Sequence, residues 1–379
     1  TENASGADVT ITGETTSNGF GYTLKTGDLN ADGKTDLVVG AYQYSSNTGR
    51  AYIFYNDGSI PTTAATADVS ITGGAASDFF SISLNLGDFN SDGKTDLAIG
   101  AAAYSSLTGR TYIFFSQNGQ VNTNQSIAGN ATGDEFGKAM VTGDFNSDGR
   151  TDLAIGAPAY NPGGAASTGR AYIFYGDGQI PTGASTADVT ITGNAASDLF
   201  GGTLTVGDFN ADGKADLAVG AIGYSTNTGR VYIFYGDGSI PTTAATADVT
   251  ITGELTNNYF GASLTAGNLN TSNNKTDLAV GASGYSTDDG RAYLFYNGSI
   301  ITENASGADV TITSFTPDRY FGLNMTVGDM DANGRADWII SSHAFSGGTG
   351  FVHIFYNDGS YTGSAYSSDV TISDDASSS

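Results

Sequence analysis

Apolar positions in this chain recur in two patterns. Short continuous runs, "DLVVGA" at 36–41, "DLAIGA" at 96–101 and "DLAVGA" at 216–221, leave no polar position for solvent, as expected of strands covered on both faces. "RAYIFY" at 50–55 and "RVYIFY" at 230–235 are β-branched and aromatic, bounded by Gly and Asn/Asp turns, and predict a second strand. "ADVTIT" at 247–252, varied as "ADVSIT" at 67–72, alternates instead. Its Val and Ile fall on one side and its Asp and Thr on the other, a strand with one wet face suited to a sheet edge. Long amphipathic helical patterns are absent.

These pieces come in a fixed order. An "ADVTITG" segment is followed by an "FG" pair, a "GD" loop, a "DLAVGA" run and "TGRAYIFY". The acidic loops begin at 28, 88, 144, 208, 268 and 329, a period of 56–64 residues. The repeats run approximately 7–66, 67–123, 124–186, 187–246, 247–307 and 308–373, with 374–379 expected to be a flexible tail. Each repeat supplies about four strands that grow wetter outward. Four-stranded sheets packed face to face around an axis make a β-propeller. A helix-free unit of this size buries a core poorly by itself. The expectation is one all-β domain over 1–379, a propeller of six four-stranded blades rather than seven. Six copies of three inner segments and seven "DVTI"-like ones leave one outer strand surplus. Either Ala7–Gly13 or Ser368–Ser373 closes the last blade, and the other is left over or given to a neighbouring molecule. "TENASGADVTIT" occurs identically at 1–12 and 302–313, so the first residues resemble an inter-blade linker.

Composition narrows the partners. The 39 acidic residues against 14 basic give a net charge of −25, which argues against nucleic acid and anionic membrane surfaces. With no cysteine, disulfides and thiolate metal sites are excluded. No apolar run approaches the ~18 residues of a membrane span. Clustered acid points toward cations.

The acid is clustered. In "DFNSDGRTD" (144–152) polar oxygens fall at positions 1, 3, 5 and 9, with Gly at 6. Alternating residues of a tight loop aim their oxygens inward, Gly permits the reversal, and the carbonyl at position 7 turns toward the same point. Such a set of hard oxygen ligands suits Ca²⁺ better than the smaller, strictly octahedral Mg²⁺. The opening matches an EF-hand loop, but Asp at 9 replaces the Glu at 12 and no helices flank it. The candidate ligands are Asp28, Asn30, Asp32, the Lys34 carbonyl and Asp36; Asp88, Asn90, Asp92, Lys94 and Asp96; and Asp144, Asn146, Asp148, Arg150 and Asp152. Two further sets are Asp208, Asn210, Asp212, Lys214 and Asp216, and the permuted Asp329, Asp331, Asn333, Arg335 and Asp337. The fifth loop, Asn268 to Asp277, has one extra residue, one carboxylate and Asn274 in place of Gly. It is expected to be weak or empty. A turn alone does not need the distant Asp at position 9, so five calcium sites are expected.

"FG" (Phe136, Gly137), "DFNSDGRTD" and "GAP" (Gly156, Ala157, Pro158) together resemble the FG-GAP repeat of the integrin α-subunit propeller, across essentially the whole chain. The resemblance implies calcium in the hairpin between the first and second strands of a blade. It also implies an extracellular or cell-surface adhesion module that recognises a glycan or protein. The departures are Phe80-Ser81 for "FG" in repeat two and Ser341-Ser342 for "GA" in repeat six. A structural subunit of a fibre, sheath or surface layer, self-associating through the surplus strand, is the alternative.

Nothing points to catalysis. No "GxSxG" elbow occurs, and His343 and His353 stand where repeat one has Tyr42 and Tyr52. The recurring Arg50, Arg110, Arg170, Arg230 and Arg291 are expected to pair with loop or strand aspartates. Tyr44, Tyr104, Tyr160, Tyr224, Tyr285 and Phe345 are expected to fill space between blades. The longer loop at 157–170 is the candidate recognition face.

Overall fold

The computed structural model describes residues 2–3, 6–117, 120–163, 167–270, 275–297, 304–314, 319–343, 350–359, 361 and 363–373. The tail at 374–379, Phe345, Asn274 and part of the 157–170 loop lie outside them. The fold is an all-β propeller of six four-stranded blades, each antiparallel with its strands in chain order from inside to outside. Blade one is built from Phe20–Gly27, Asp36–Ala41, Arg50–Phe54 and Val69–Thr72. In blades two to five the second strand is buried throughout, as in Asp96–Ala101 and Asp216–Ala221, matching its unbroken apolar run.

Blade six accounts for the surplus strand. Val370–Ser373 pairs antiparallel with Phe351–Phe355 and completes the sheet. Glu2–Asn3 then adds to its outer edge in parallel, against Ile372 and Ser373. The later of the two candidate strands therefore completes the blade, and the N-terminal stretch is left over. Within Ala7–Gly13, Thr12 forms an isolated parallel bridge with Thr63, and Ile11 packs against the core of blade one.

The chain divides into two compact units, Asp8–Thr192 with blades one to three, and Thr1–Ala7 with Gly193–Ser379, which holds blades four to six. Within each unit the apolar core lies between consecutive blades. Leu29, Val38 and Ile53 of blade one meet Phe80, Leu97 and Phe114 of blade two. Ala218, Val231 and Ile251 of blade four meet Phe260, Leu278 and Tyr293 of blade five.

The "FG" pair has a packing reason. Its Phe stands edge-on to the Tyr of the aromatic strand, with centroids 5.4 Å apart in Phe136–Tyr172 and 5.2 Å in Phe260–Tyr293, a favoured aromatic geometry. In blade six His353 takes the place of that Tyr, 5.5 Å from Phe321, so it is a substituted strand residue as expected. The following Gly has φ near +91° at Gly137 and +92° at Gly201, a left-handed conformation that favours glycine. Ser81 adopts the same conformation at φ +70°, and its hydroxyl donates to the Arg50 carbonyl at 2.9 Å.

Consecutive blades are also clasped by backbone. After the second strand, three successive non-glycine residues have positive φ: Ser45, Ser46 and Asn47 in blade one, and Ser225, Thr226 and Asn227 in blade four. This left-handed turn is strained. Its carbonyls are met by the lead-in loop of the next blade, where Ser77, Phe79 and Phe80 donate N–H groups to Ser46, Asn47 and Thr48. Asn257, Tyr259 and Phe260 do the same to Thr226, Asn227 and Thr228.

Candidate metal-binding loops

Each acidic loop joins the first and second strands of its blade. In the third, the N–H of Asp148 donates to Asp144 Oδ1 at 2.9 Å and to Asn146 Oδ1 at 3.0 Å. Gly149 N–H donates to Asp144 Oδ2, and Arg150 N–H to Asp148 Oδ1, both at 2.9 Å. The first, second, fourth and sixth loops repeat these four bonds at 2.8–3.1 Å. Five loops thus fold the oxygens of positions 1, 3 and 5 around one turn. The reversal rests on positive φ at position 6, +83° in Gly149, where an added Cβ would meet nothing. Backbone conformation, not space, selects glycine there.

The donor set fits a hard cation. It is all oxygen, and each bonded carboxylate oxygen keeps a second lone pair. In the sixth loop one oxygen each of Asp329, Asp331 and Asp337 lie within 4.8 Å of one another, a spacing that a single ion with metal–oxygen distances of about 2.3–2.6 Å can span. Among the described residues this is the one cluster of three carboxylates so closely drawn. Elsewhere position 3 is Asn30, Asn90, Asn146 or Asn210, an oxygen donor without charge. The position-7 side chains brace the loop: Lys34 Nζ reaches the Asn56 carbonyl at 3.0 Å, and Arg335 Nη1 the Asn357 carbonyl at 3.3 Å.

Position 9 has a backbone role that its place in the loop does not reveal. Its Asp is buried in all six loops, and both oxygens accept backbone N–H groups at 2.7–3.0 Å. One comes from loop position 2 and the other from the end of the third strand or just beyond it, as Phe145 and Gly176 do for Asp152. That carboxylate ties the acidic loop to the hairpin beside it. A turn of this kind does use the distant Asp, and in the sixth loop Asp337 also lies with Asp329 and Asp331, so position 9 serves the turn whether or not it meets a cation as well. Burial pushes Asp96, Asp152 and Asp216 up to about 6, partly offset by the N–H donors.

The fifth loop shows the two roles apart. Asp277 keeps both backbone donors, Leu269 and Asn297, at 2.8 Å. The Asn270 side-chain amide donates to its two oxygens at 2.9 and 2.8 Å. Here a neutral amide approaches the carboxylate from within the loop, and the carboxylates of positions 1 and 5 are missing from the sequence.

The recurring arginines are placed differently from expectation. Arg170 lies 3.6 Å from the Tyr160 centroid and 5.8 Å from that of Tyr172; Arg50, Arg110, Arg230 and Arg291 are sandwiched likewise. Their ion pairs among the described residues are with glutamates, Arg50 with Glu14 at 3.0 Å and Arg291 with Glu254 at 2.9 Å. The sequence alignment of the repeats could have found the reason. Blades one and five carry Glu14 and Glu254 with Asn18 and Asn258, whereas blades two to four carry Gly74, Asn130 and Asn194 with Asp78, Asp134 and Asp198. One acid accompanies each arginine, in one of two places. Burial raises Asp78, Asp134 and Asp198, and the nearby Arg110, Arg170 and Arg230 draw them partly back. The tyrosines do pack against the inter-blade cores, as Tyr104, Tyr160 and Tyr285 show, so they fill space and hold the cation at once.

Comparison with known proteins places this geometry. The FG-GAP repeat family matches residues 20–54, 80–115, 136–174 and 200–234. Integrin alpha-PS2 of Drosophila melanogaster is 33% identical over 238 residues, covering 60% of this chain and 16% of that protein. Integrin alpha-M of Mus musculus is 36% identical over 207 residues, 50% of this chain and 16% of that protein. Phosphatidylinositol-glycan-specific phospholipase D of Dictyostelium discoideum is 30% identical over 268 residues, 66% of this chain and 24% of that protein. The chain thus spans less than a quarter of these relatives' lengths.

Proposed function

The chain is an FG-GAP repeat protein with an integrin-α-like propeller, and from that premise we propose that it is a calcium-stabilised adhesion module that recognises a glycan or protein outside the cell. One observation carries the calcium reading: five loops fold positions 1, 3 and 5 identically, while the loop that lacks those acids substitutes an amide. Bound calcium neutralises two or three carboxylates per loop and pins the first hairpin of each blade, giving a rigid platform for the loops around it.

The module binds and does not catalyse. Support comes from His353, which serves as a packing residue beside Phe321, and from the loop acids, which already have places in the turns. The match to phosphatidylinositol-glycan-specific phospholipase D covers 24% of that protein and carries no activity across. The fibre-subunit alternative has less support, since Glu2–Asn3 pairs with Val370–Ser373 of its own chain. Titration calorimetry with calcium, followed by glycan-array and cell-adhesion measurements with and without chelator, tests the proposal. Calcium-dependent retention of one ligand class supports it; no heat with calcium and no retention overturns it.

A further inference from the structure

Of the five loops with the regular turn, the sixth alone carries an amide at position 5. Asp32, Asp92, Asp148 and Asp212 stand there in the others, each followed by glycine, and Asn333 followed by Gly334 in the sixth. A backbone nitrogen attacks the side-chain carbonyl of the preceding asparagine most readily when it belongs to glycine, which brings no Cβ to crowd the five-membered ring. An ionised aspartate is a far poorer electrophile, so the same backbone in the other four loops lacks this reactivity.

The groups around Asn333 are those that such an attack uses. Gly334 N–H, the nucleophile, donates to Asp329 Oδ2 at 2.8 Å, a carboxylate placed to take its proton. Arg335 N–H donates to Asn333 Oδ1 at 2.9 Å, where negative charge develops as the carbonyl is attacked. The leaving nitrogen, Nδ2, donates to Asp331 Oδ2 at 2.8 Å. Asn333 and Gly334 are exposed, and an added Cβ on Gly334 would meet nothing, so water reaches the pair. The other Asn-Gly pair with both residues described, Asn18-Gly19, is the contrast. Asn18 is 5% exposed, and an added Cβ on Gly19 would lie 3.0 Å from the Tyr42 ring.

We propose that Asn333 is a self-modifying site, converted to aspartate through attack by the backbone nitrogen of Gly334, with water as the only co-reactant. The bond from Gly334 N to Asn333 Cγ forms and the Cγ–Nδ2 bond breaks. The proton that Asp329 takes from Gly334 passes to the departing nitrogen, which leaves as ammonia. Water then opens the imide at Cγ: its hydroxyl completes the carboxylate, and its hydrogen returns to Gly334 N and restores the backbone. Opening at the backbone carbonyl instead gives the β-linked isomer. The loop is already built for the aspartate. In the third loop Asp148 Oδ1 accepts the Arg150 N–H at 2.9 Å, the same bond that Asn333 Oδ1 accepts from Arg335. Ser147 and Gly149 have φ of +59° and +83°, against +60° and +83° at Ala332 and Gly334. Conversion therefore gives the sixth loop the position-5 carboxylate of its four counterparts while it keeps Asp331 at position 3.

The test ages the intact protein in chelator near neutral pH, folded and in parallel unfolded in urea, and follows its peptides by mass spectrometry. In the folded protein the peptide holding Asn333 should show the amide-to-acid mass gain at least about tenfold faster than the one holding Asn18. In urea, where sequence alone acts, the two rates should converge. Asp329→Asn separates chemistry from loosening of the loop. It should slow conversion at least about tenfold, because the proton acceptor is gone; were Asp329 only a loop contact, its loss would speed conversion. Asn333 that stays intact in the folded protein while the unfolded chain converts overturns the proposal. So does conversion no faster than at Asn18, or a rate that Asp329→Asn leaves unchanged or raises.

Discussion

Asn270 donates its side-chain amide to both carboxylate oxygens of Asp277, at 2.9 and 2.8 Å. The pair separates the architectural use of the position-9 aspartate from its use toward a cation. Asp277→Ala strips the Leu269 and Asn297 N–H groups of their acceptor. Leaving buried donors beside a deleted charge costs about 3 kcal/mol. Urea denaturation should show that loss, while calorimetry shows the calcium stoichiometry unchanged; a fall in stoichiometry would assign the fifth loop to calcium.

The other five loops should behave as independent sites. With a Kd of about 0.1 mM and calcium at about 1 mM, each contributes about 1.4 kcal/mol to folding. Asp148→Ala, which removes the acceptor of Arg150 N–H and one loop carboxylate, should lower the calorimetric stoichiometry by one. It should also lower the melting temperature in calcium but hardly at all in chelator. Equal effects in both media would make the loop a turn and nothing more.

Acid should stabilise the chelated protein. Burial holds the carboxyls of Asp96, Asp152 and Asp216 at about 6 in the folded chain, against about 3.9 in an unfolded one. The folded state binds these protons more tightly, so their contribution grows as pH falls from about 6 toward about 4, and is lost as pH rises through about 6. Scanning calorimetry in chelator should give a higher melting temperature near pH ~5 than above neutrality. Calcium needs the ionised carboxylates, and in its presence the slope should reverse.

The arginine sandwiches should discriminate geometry from charge. Arg170 lies between Tyr160 and Tyr172 and donates from Nε to the Thr192 hydroxyl at 3.1 Å. Lysine keeps the charge but has neither the flat face nor the Nε donor. Arg170→Lys should cost about 1–2 kcal/mol, nearly as much as Arg170→Met, by denaturant titration. In blade two the Thr is replaced by Ala128, and Arg110 Nε is buried without a partner. Ala128→Thr should therefore stabilise the chain by about 1 kcal/mol.

The strands and blade count were legible in the sequence because the repeats write nearly the same segments in the same order: "DLAVGA" for a doubly covered strand, "DVTI" or "DVSI" for an outer strand that alternates, as Val69–Thr72 does between half-buried and exposed. The loop turns were legible too, since Asp, Asn and Gly fix their own backbone. The arginine partners were harder to read, because the acid moves between two positions, as Glu14 and Asp78 do, and only both columns of the aligned repeats taken together show it. The backbone role of position 9 was hidden for a related reason: what Asp152 bonds, the N–H of Gly176, lies 24 residues away across two strands. The left-handed turn at Ser45–Asn47 was invisible, since no local preference favours three such residues in a row; the neighbouring blade holds it.

That clasp makes the covalent repeat and the interlocking unit run out of phase. A turn such as Ser45–Asn47 belongs to one repeat, and the N–H groups of Ser77 and Phe79 that complete it belong to the next. When such an array gains or loses a copy by duplication, a junction cut between the turn and its mate joins halves from different ancestors. The two sides must then stay compatible across copies, so drift in a left-handed turn such as Ser45–Asn47 or Ser225–Asn227 is restrained by a partner inherited separately from it.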